Sequence, residues 1–429
     1  LGQDRDIHSV TGASKRRFTI EEKSRAKVHS SASRLITEES CLASLYLHIP
    51  FCEHKCIYCD FYSITPNDRP AEGRAFVKRF LAALDREIDL RASEEHFAQR
   101  IETIFFGGGT PSLLQPKEIA SVLEKLRRCF HIDPKAEITL ETNPGTVESA
   151  KLGDFRSVGI NRLSIGIQSF HDDDLRFLSR IHTAEEAKAC VNNAFAVGFE
   201  NVSLDLIFAL PSQSADRWKA NLQQAVALNP THLSCYSLIV EHNTPLARMV
   251  QAKQVMPLSV EEDAALYELT MEFLSSRGFE QYEVSNFAKP GFKSRHNSNY
   301  WNHVDYLGFG PSAHSFWRER EAPFSARRWW NIANVIGYAE RLERDRLPQA
   351  GEERLTREQL REEEIFLGLR SEGLDVAGFR KKYRRDILQE YGTYVAELIR
   401  QNFAILEGDR LRLTSKGYLL CDEICLAFR

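Results

Sequence analysis

The chain has 429 residues, enough for two or three domains, and 43% of them are hydrophobic, enough for a large core. Its 56 basic and 60 acidic residues leave a net charge of −4, which argues against a broad nucleic-acid-binding surface. No apolar run reaches membrane-spanning length, and nine cysteines, an odd number without a secretory signal, argue against a disulfide framework and for a reducing, cytoplasmic setting.

Residues 1–41 are rich in Ser, Thr, Lys and Arg and show neither helical nor alternating periodicity, so they are expected to form a disordered polar extension. Lys15-Arg16-Arg17 is read as part of a solvated tail. Asp4, Asp6, Glu21 and Glu22 weaken a transit-peptide reading.

The first strand is predicted at Leu45–Ile49. Directly after it, Cys52, Cys56 and Cys59 form a CxxxCxxC cluster. Three thiolates so close together can hold three irons of a four-iron cluster, leaving the fourth open to a small molecule. Structural zinc usually takes four Cys or His ligands from paired knuckles; no second knuckle follows, and a site completed by His54 would be cramped.

Further apolar runs predict strands at Ile101–Phe106, Glu137–Leu140, Arg162–Ile167, Val202–Leu210 and His232–Leu238. Amphipathic helices are expected between them at Ala75–Ala92, Pro116–Cys129, Ala184–Val197 and Ala215–Leu228. Six alternating units make a parallel α/β sheet, either open or closed into a partial (β/α)6, TIM-like barrel; periodicity does not choose between them.

Polar residues follow the strands, where β/α barrels build their active sites. Gly107-Gly108-Gly109-Thr110 can bring backbone close to a ligand, although such runs are often plain turns. Glu141 puts a carboxylate at the third strand end, Gln168 ends the fourth, and Asp205 interrupts the apolar fifth. A buried Asp needs a partner, for which Arg162 or Arg180 could serve. Together these residues describe one polar pocket.

Residues 286–350 are expected to link this barrel, 42–285, to a separate C-terminal domain, 351–429. In the latter, helices at Thr356–Leu369, Val376–Tyr383 and Asp386–Asn402 precede a hairpin turning at Glu407-Gly408-Asp409 and a closing helix. That order is winged-helix-like, but Arg410 and Arg412 are too few for a DNA footprint, so a lid or partner-docking role is expected.

From Leu45 to the C-terminus, the cysteine loop, the glycine run and the Glu141, Gln168 and Asp205 strand ends resemble the radical S-adenosylmethionine (SAM) superfamily, closest to its coproporphyrinogen dehydrogenase-like branch. The resemblance implies a 4Fe–4S cluster on Cys52, Cys56 and Cys59, with SAM chelating the open iron and open to cleavage to a 5′-deoxyadenosyl radical. It implies Tyr46 and Tyr58 bordering SAM, Gly108, Gly109 and Thr110 at its amino acid end, and Glu141, Gln168, Arg180 and Asp205 completing the pocket.

Within the branch, the decarboxylating enzyme carries a further cysteine, whereas this chain reads Cys59-Asp60-Phe61. The run from His296 to Trp301 matches the HNxxYW signature of the branch's haem chaperones. The resemblance therefore implies haem binding and transfer to acceptor haemoproteins, among them respiratory, membrane-associated ones; porphyrinogen decarboxylation is the alternative, and nothing specific favours haem modification. A histidine can ligate haem iron, so His296 is a candidate ligand, with His314, His242 and Cys235 as rivals. The plainer expectation is that His296 and Asn297 hydrogen-bond a loop while Tyr300 and Trp301 fill the core beneath it.

Overall fold

The computed structural model describes residues 42–65, 70–94, 97, 99–319 and 325–428; the extension expected at 1–41 lies outside them. Strands and helices alternate: β1 (Leu42–Ile49), α1 (Pro70–Ala92), β2 (Arg100–Gly108), α2 (Pro116–Cys129), β3 (Ile132–Thr142) and α3 (Ser149–Ser157). Then come β4 (Arg162–Gln168), α4 (Asp172–Phe177), α5 (Ala184–Ala196), β5 (Asn201–Phe208), α6 (Ala215–Ala227) and β6 (His232–Ser237). Strands β1 to β6 pair in sequence order, all parallel, and form the partial barrel.

Period-two alternation sets the two faces of this sheet. Leu45, Leu47 and Ile49 of β1, Leu163, Ile165 and Ile167 of β4, and Val202, Leu204 and Leu206 of β5 belong to one hydrophobic core with the helices. On α2 that core takes Ile119, Val122, Leu123 and Leu126, a stripe at helical spacing. The alternate strand positions, Tyr46 and His48, Glu141, Ser164 and Gly166, and Asp205, therefore share the opposite face. Helix α5 starts on a capping box, with Thr183 Oγ1 accepting from Glu186 N–H (3.2 Å) and Glu186 accepting from Thr183 N–H (2.7 Å).

The segment expected to link two domains builds into the same sheet. After α7 (Pro245–Gln251) and α8 (Val260–Ser275), β7 (Glu280–Gln281) and β8 (Asn286–Ala288) extend it beyond β6. Helix α9 (Arg295–Trp301) follows, and then β9 (Asp305–Phe309) pairs in parallel with β1. Strands β10 (His314–Arg318) and β11 (Ala326–Asn331), helix α10 (Val335–Leu342) and β12 (Gln349–Leu355) complete that side, with antiparallel pairing from β9 outward. The order β12-β11-β10-β9-β1-β2-β3-β4-β5-β6-β8-β7 leaves the sheet unclosed. Gly310 (φ 95°) lets the chain after β9 pass β1, because a Cβ there would stand 2.4 Å from the His48 carbonyl oxygen.

The C-terminal part has its own core, including Ile365, Phe379, Leu398, Leu411 and Ile424. It runs α11 (Arg357–Leu369), β13 (Leu374–Asp375), α12 (Val376–Tyr383), α13 (Ile387–Glu390), α14 (Gly392–Arg400), β14 (Ala404–Glu407), β15 (Arg410–Leu413), α15 (Ser415–Tyr418) and α16 (Cys421–Leu426). The helix expected over 386–402 is two helices meeting at Tyr391, and β13 adds a third strand to the hairpin. No helix among the described residues is long and apolar enough to cross a membrane.

Glu87 of α1 locks the added strands to the barrel. Its buried carboxylate accepts from Tyr338 OH (2.6 Å), Gly310 N–H (2.8 Å) and Asn331 Nδ2 (2.7 Å). Glu87→Ala leaves Tyr338 OH and Gly310 N–H unpaired at about 1–3 kcal/mol each, while Asn331 Nδ2 keeps its bond to the Gly310 carbonyl (2.9 Å). It is expected to lower the denaturant midpoint clearly, Glu87→Gln less so; an unchanged midpoint for the alanine variant would contradict this role.

Candidate functional site

The cysteine loop leaves the C-terminal end of β1 and is tied down at both ends. Cys52 N–H donates to the Ile64 carbonyl (2.9 Å), Ile64 N–H to Pro50 (2.7 Å), and Leu246 N–H to Ile57 (3.0 Å). Cys52, Cys56 and Cys59 are all half-buried. Burial pushes the Cys52 thiol up, and that of Cys59 up to about 11. Among the described residues no three His, Cys, Asp or Glu side chains converge tightly enough for a single metal ion. Three half-buried thiols on one short loop fit three irons of a four-iron cluster, which takes one thiolate on each iron.

A hydrogen-bonded belt spans the strand ends beneath this loop. Arg180 donates to Cys56 Sγ (3.6 Å), to the Gly166 carbonyl (2.8 Å) and to Asn143 Oδ1. Asn143 Nδ2 donates to Thr110 Oγ1 (3.1 Å), and the Thr110 hydroxyl donates to Cys52 Sγ (3.7 Å). Cys52 and Cys56 are thus connected through the ends of β2, β3 and β4. Asn143 was not singled out from the sequence; its position two residues beyond Glu141 at a strand end was the available signal.

The glycine run does not offer free N–H groups. Gly108 N–H donates to Glu141 (3.1 Å), Gly109 N–H to the Ile49 carbonyl (2.8 Å), and Thr110 N–H to that of Phe51 (2.6 Å). Any backbone contact from the two glycines to a ligand therefore has to come from their carbonyl oxygens, which suit a cationic group. A Cβ on Gly109 would stand 2.5 Å from the Phe51 oxygen, so this close approach requires glycine.

Glu141 and Asp205 face the same space. Burial, with Asp205 adding, pushes the Glu141 carboxyl up to about 8. Burial also raises Asp205, against the hydrogen bonds it accepts from Ser164 (3.1 and 3.0 Å) and Ser203 (3.2 Å). Serine hydroxyls, rather than the two arginines that could have served as its partner, bond this carboxylate. The buried Arg162 lowers both carboxyls from a distance but does not outweigh burial, and two acids left raised in this way fit a ligand that brings further positive charge, as the ammonium and sulfonium of SAM do. Gln168 closes β4 in the left-handed region (φ 67°). Tyr58 packs on Leu178, Ile207 and Leu210, and Tyr46 donates to or accepts from His48 Nδ1 (3.1 Å) while stacking on Phe105.

His296 is held inside the protein, as the plainer expectation has it, but by strand residue Thr103 and by Tyr300 rather than by a loop, and Tyr300 and Trp301 are half-buried rather than core. The ring is 1% exposed, with Nδ1 bonded to Thr103 Oγ1 (2.7 Å) and Nε2 to Tyr300 OH (3.0 Å), and it stacks on Phe105. Burial pushes its pKa down to about 3, so the ring is neutral. With both nitrogens engaged, His296 plugs the barrel interior and presents no lone pair to a haem iron. Cys235 is buried in the core facing the helices.

Beside the cysteine loop lies a cavity of about 970 Å³ between β1, β9–β11 and the C-terminal helices α11 and α16. Tyr46, Phe61, Tyr62, Tyr306, Phe316 and Phe366 make much of its wall. Phe61, two residues beyond Cys59, is 64% exposed there. The volume is at the upper end of the ~300–1,000 Å³ typical of small-molecule sites.

Residues 46–225 match the Radical SAM superfamily and residues 355–420 the HemN C-terminal domain. The chain is 33% identical over 389 residues to the heme chaperone HemW of Bacillus subtilis, covering 90% of this chain and 99% of that one. It is 34% identical over 412 residues to the mitochondrial radical S-adenosyl methionine domain-containing protein 1 of Danio rerio, covering 92% and 89%. Among solved structures, the coproporphyrinogen III oxidase HemN of Escherichia coli, a radical SAM enzyme, is similar with a TM-score of 0.74 and 25% identity, covering 90% and 89%.

The crowded carboxylates predict a pH signature. Glu141 keeps its proton to about pH 8 when folded, against an ordinary value of 4.5, so stability falls as pH rises through that window. Without ligand, Glu141→Gln is expected to melt above the wild type near pH ~8.5 and with it near pH ~5. Equal differences at both pH values would rule this out.

Proposed function

The chain belongs to the radical SAM superfamily and, within it, to the HemW family, and on that premise we propose that it binds haem and passes it to acceptor haemoproteins. The observation that carries this reading is the aromatic-walled cavity bordered by the cluster loop, large enough for a flat macrocycle and closed on one side by Phe61. Phe61 stands where the decarboxylating relatives are expected to carry a further cysteine.

Cys52, Cys56 and Cys59 would hold three irons of a 4Fe–4S cluster, leaving the fourth for the amino acid end of SAM. Glu141 and Asp205 would answer its positive charges, and the Gly108 and Gly109 carbonyls its ammonium. Tyr46 and Tyr58 would border the nucleoside, with Gln168 and Thr110 closing the pocket. Arg180 would balance the charge of the thiolates through Cys56. When bound, a reduced cluster supplies the electron that can break a sulfonium C–S bond. Haem transfer itself needs only a site that binds the macrocycle and releases it.

We take the acceptors to be respiratory, membrane-associated haemoproteins, with no role for nucleic acid. An exposed cluster calls for a reducing compartment. The cytosol is our reading, and the mitochondrial relative from Danio rerio favours the organelle as the second place to look with a fluorescent fusion of the full chain. The likeness to HemN favours a second activity, oxidative decarboxylation of coproporphyrinogen III.

Anaerobic reconstitution followed by incubation with reductant, SAM and either haem or coproporphyrinogen III separates the two. The expected outcome is a haem complex that loads an apo-haemoprotein, while Cys56→Ser loses the cluster's visible absorbance. Protoporphyrinogen appearing together with 5′-deoxyadenosine would overturn the chaperone reading.

A further inference from the structure

The cavity beside the cluster loop has three histidines in its lining, and their bonding separates them. His48 is 4% exposed; its Nδ1 is bonded to Tyr46 OH and its Nε2 to the Tyr62 carbonyl (2.8 Å). His303 is 6% exposed, stacked on Phe316 with ring centroids 4.4 Å apart and paired through Nε2 with Glu363 (3.1 Å). His314 is different. Its ring is exposed, makes no side-chain hydrogen bond among the described residues, and stacks on Trp330 (centroids 5.9 Å, planes 24° apart).

We propose that His314 is the axial protein ligand of haem bound in this cavity. The proposal rests on the haem-chaperone reading and makes it specific.

Position supports it. His314 opens β10 and pairs with Trp330 of β11, so a strand rather than a loop aims the ring. Partial burial and the nearby Arg328 lower its pKa, keeping the imidazole neutral and its lone pair free. The other wall offers what a porphyrin face needs: Phe61 and Phe366 are both exposed large apolar side chains within the same lining.

Charge orients the macrocycle. Arg328, the one arginine or lysine in the lining among the described residues, is already engaged by Glu353 (2.8 Å) and Glu363 (2.7 Å), and Asp60 and Glu362 add negative charge. The two propionates are therefore left at the solvent side, while the apolar edge and the iron enter. His242 is exposed on the loop after β6 and does not line the cavity; Cys425 lines it but is buried against the C-terminal core.

Haem titration of the full chain, followed in the Soret band, tests the assignment. His314→Ala is expected to weaken haem binding by at least on the order of tenfold, since even outer partners of metal ligands cost about that much. Its Soret maximum should move, and added imidazole should restore the wild-type spectrum. His242→Ala, outside the cavity, should leave affinity and spectrum unchanged, and the cluster absorbance of each variant reports an intact fold. An unchanged Soret band in His314→Ala overturns the assignment, as does a loss that imidazole does not restore, or a spectral change confined to His242→Ala. A wild-type chain that takes up no haem would instead defeat the chaperone reading itself.

Discussion

The site depends on one half-buried guanidinium. Arg180 follows α4 and reaches under the cysteine loop, and its bonds to Cys56, Gly166 and Asn143 are the keystone of the belt that ends at Cys52. Burial works against its charge, while Tyr58 and Cys56 hold the proton on, and the balance raises its pKa. A cation in such a place requires nearby negative charge, which the Cys56 thiolate would provide on the reading proposed above. Tyr58, the glycine run and the β4 end are all positioned with respect to this side chain. Lysine could not replace it, because the belt uses several donors in a planar fork.

The barrel was legible because its strands are buried by helices on one face and its helices carry apolar stripes at regular spacing. All six predicted strands and the four predicted helices appear with ends shifted by a few residues. That the cysteine loop, Glu141 and Asp205 gather at one end of the sheet was legible as well, since polar residues that follow or interrupt apolar strands lie at or near their C-terminal ends. Strands β9 to β12 were not, because β9 takes as partner a strand more than 250 residues earlier, and no local pattern encodes that pairing. His296 was ambiguous for the same reason: the HNxxYW run reads alike whether it meets a ligand or a plug. The decision is made by Thr103, which lies 193 residues away.

The C-terminal part shows how shape and function separate. Its hairpin and helices have the winged-helix order, yet both wing arginines are spent within the part itself: Arg410 donates to the Gly373 carbonyl and Arg412 pairs with Glu407. Its contact with the barrel side is more telling. Glu363 of α11 binds both Arg328 of β11 and His303, so the floor of the cavity and the C-terminal helices are held by one carboxylate. A module that elsewhere would seat on a duplex here supplies a wall.

Phe61 and Cys59 belong to one short peptide, anchored further along by the Tyr62 hydroxyl accepting from Val335 N–H and the Tyr62 carbonyl bonded to His48. Whatever leans on Phe61 from the cavity leans on the backbone that carries Cys59, two residues away. The two compartments share a hinge rather than a boundary. Any free energy that cargo lends to the cofactor must be returned in equal measure when the cofactor binds first.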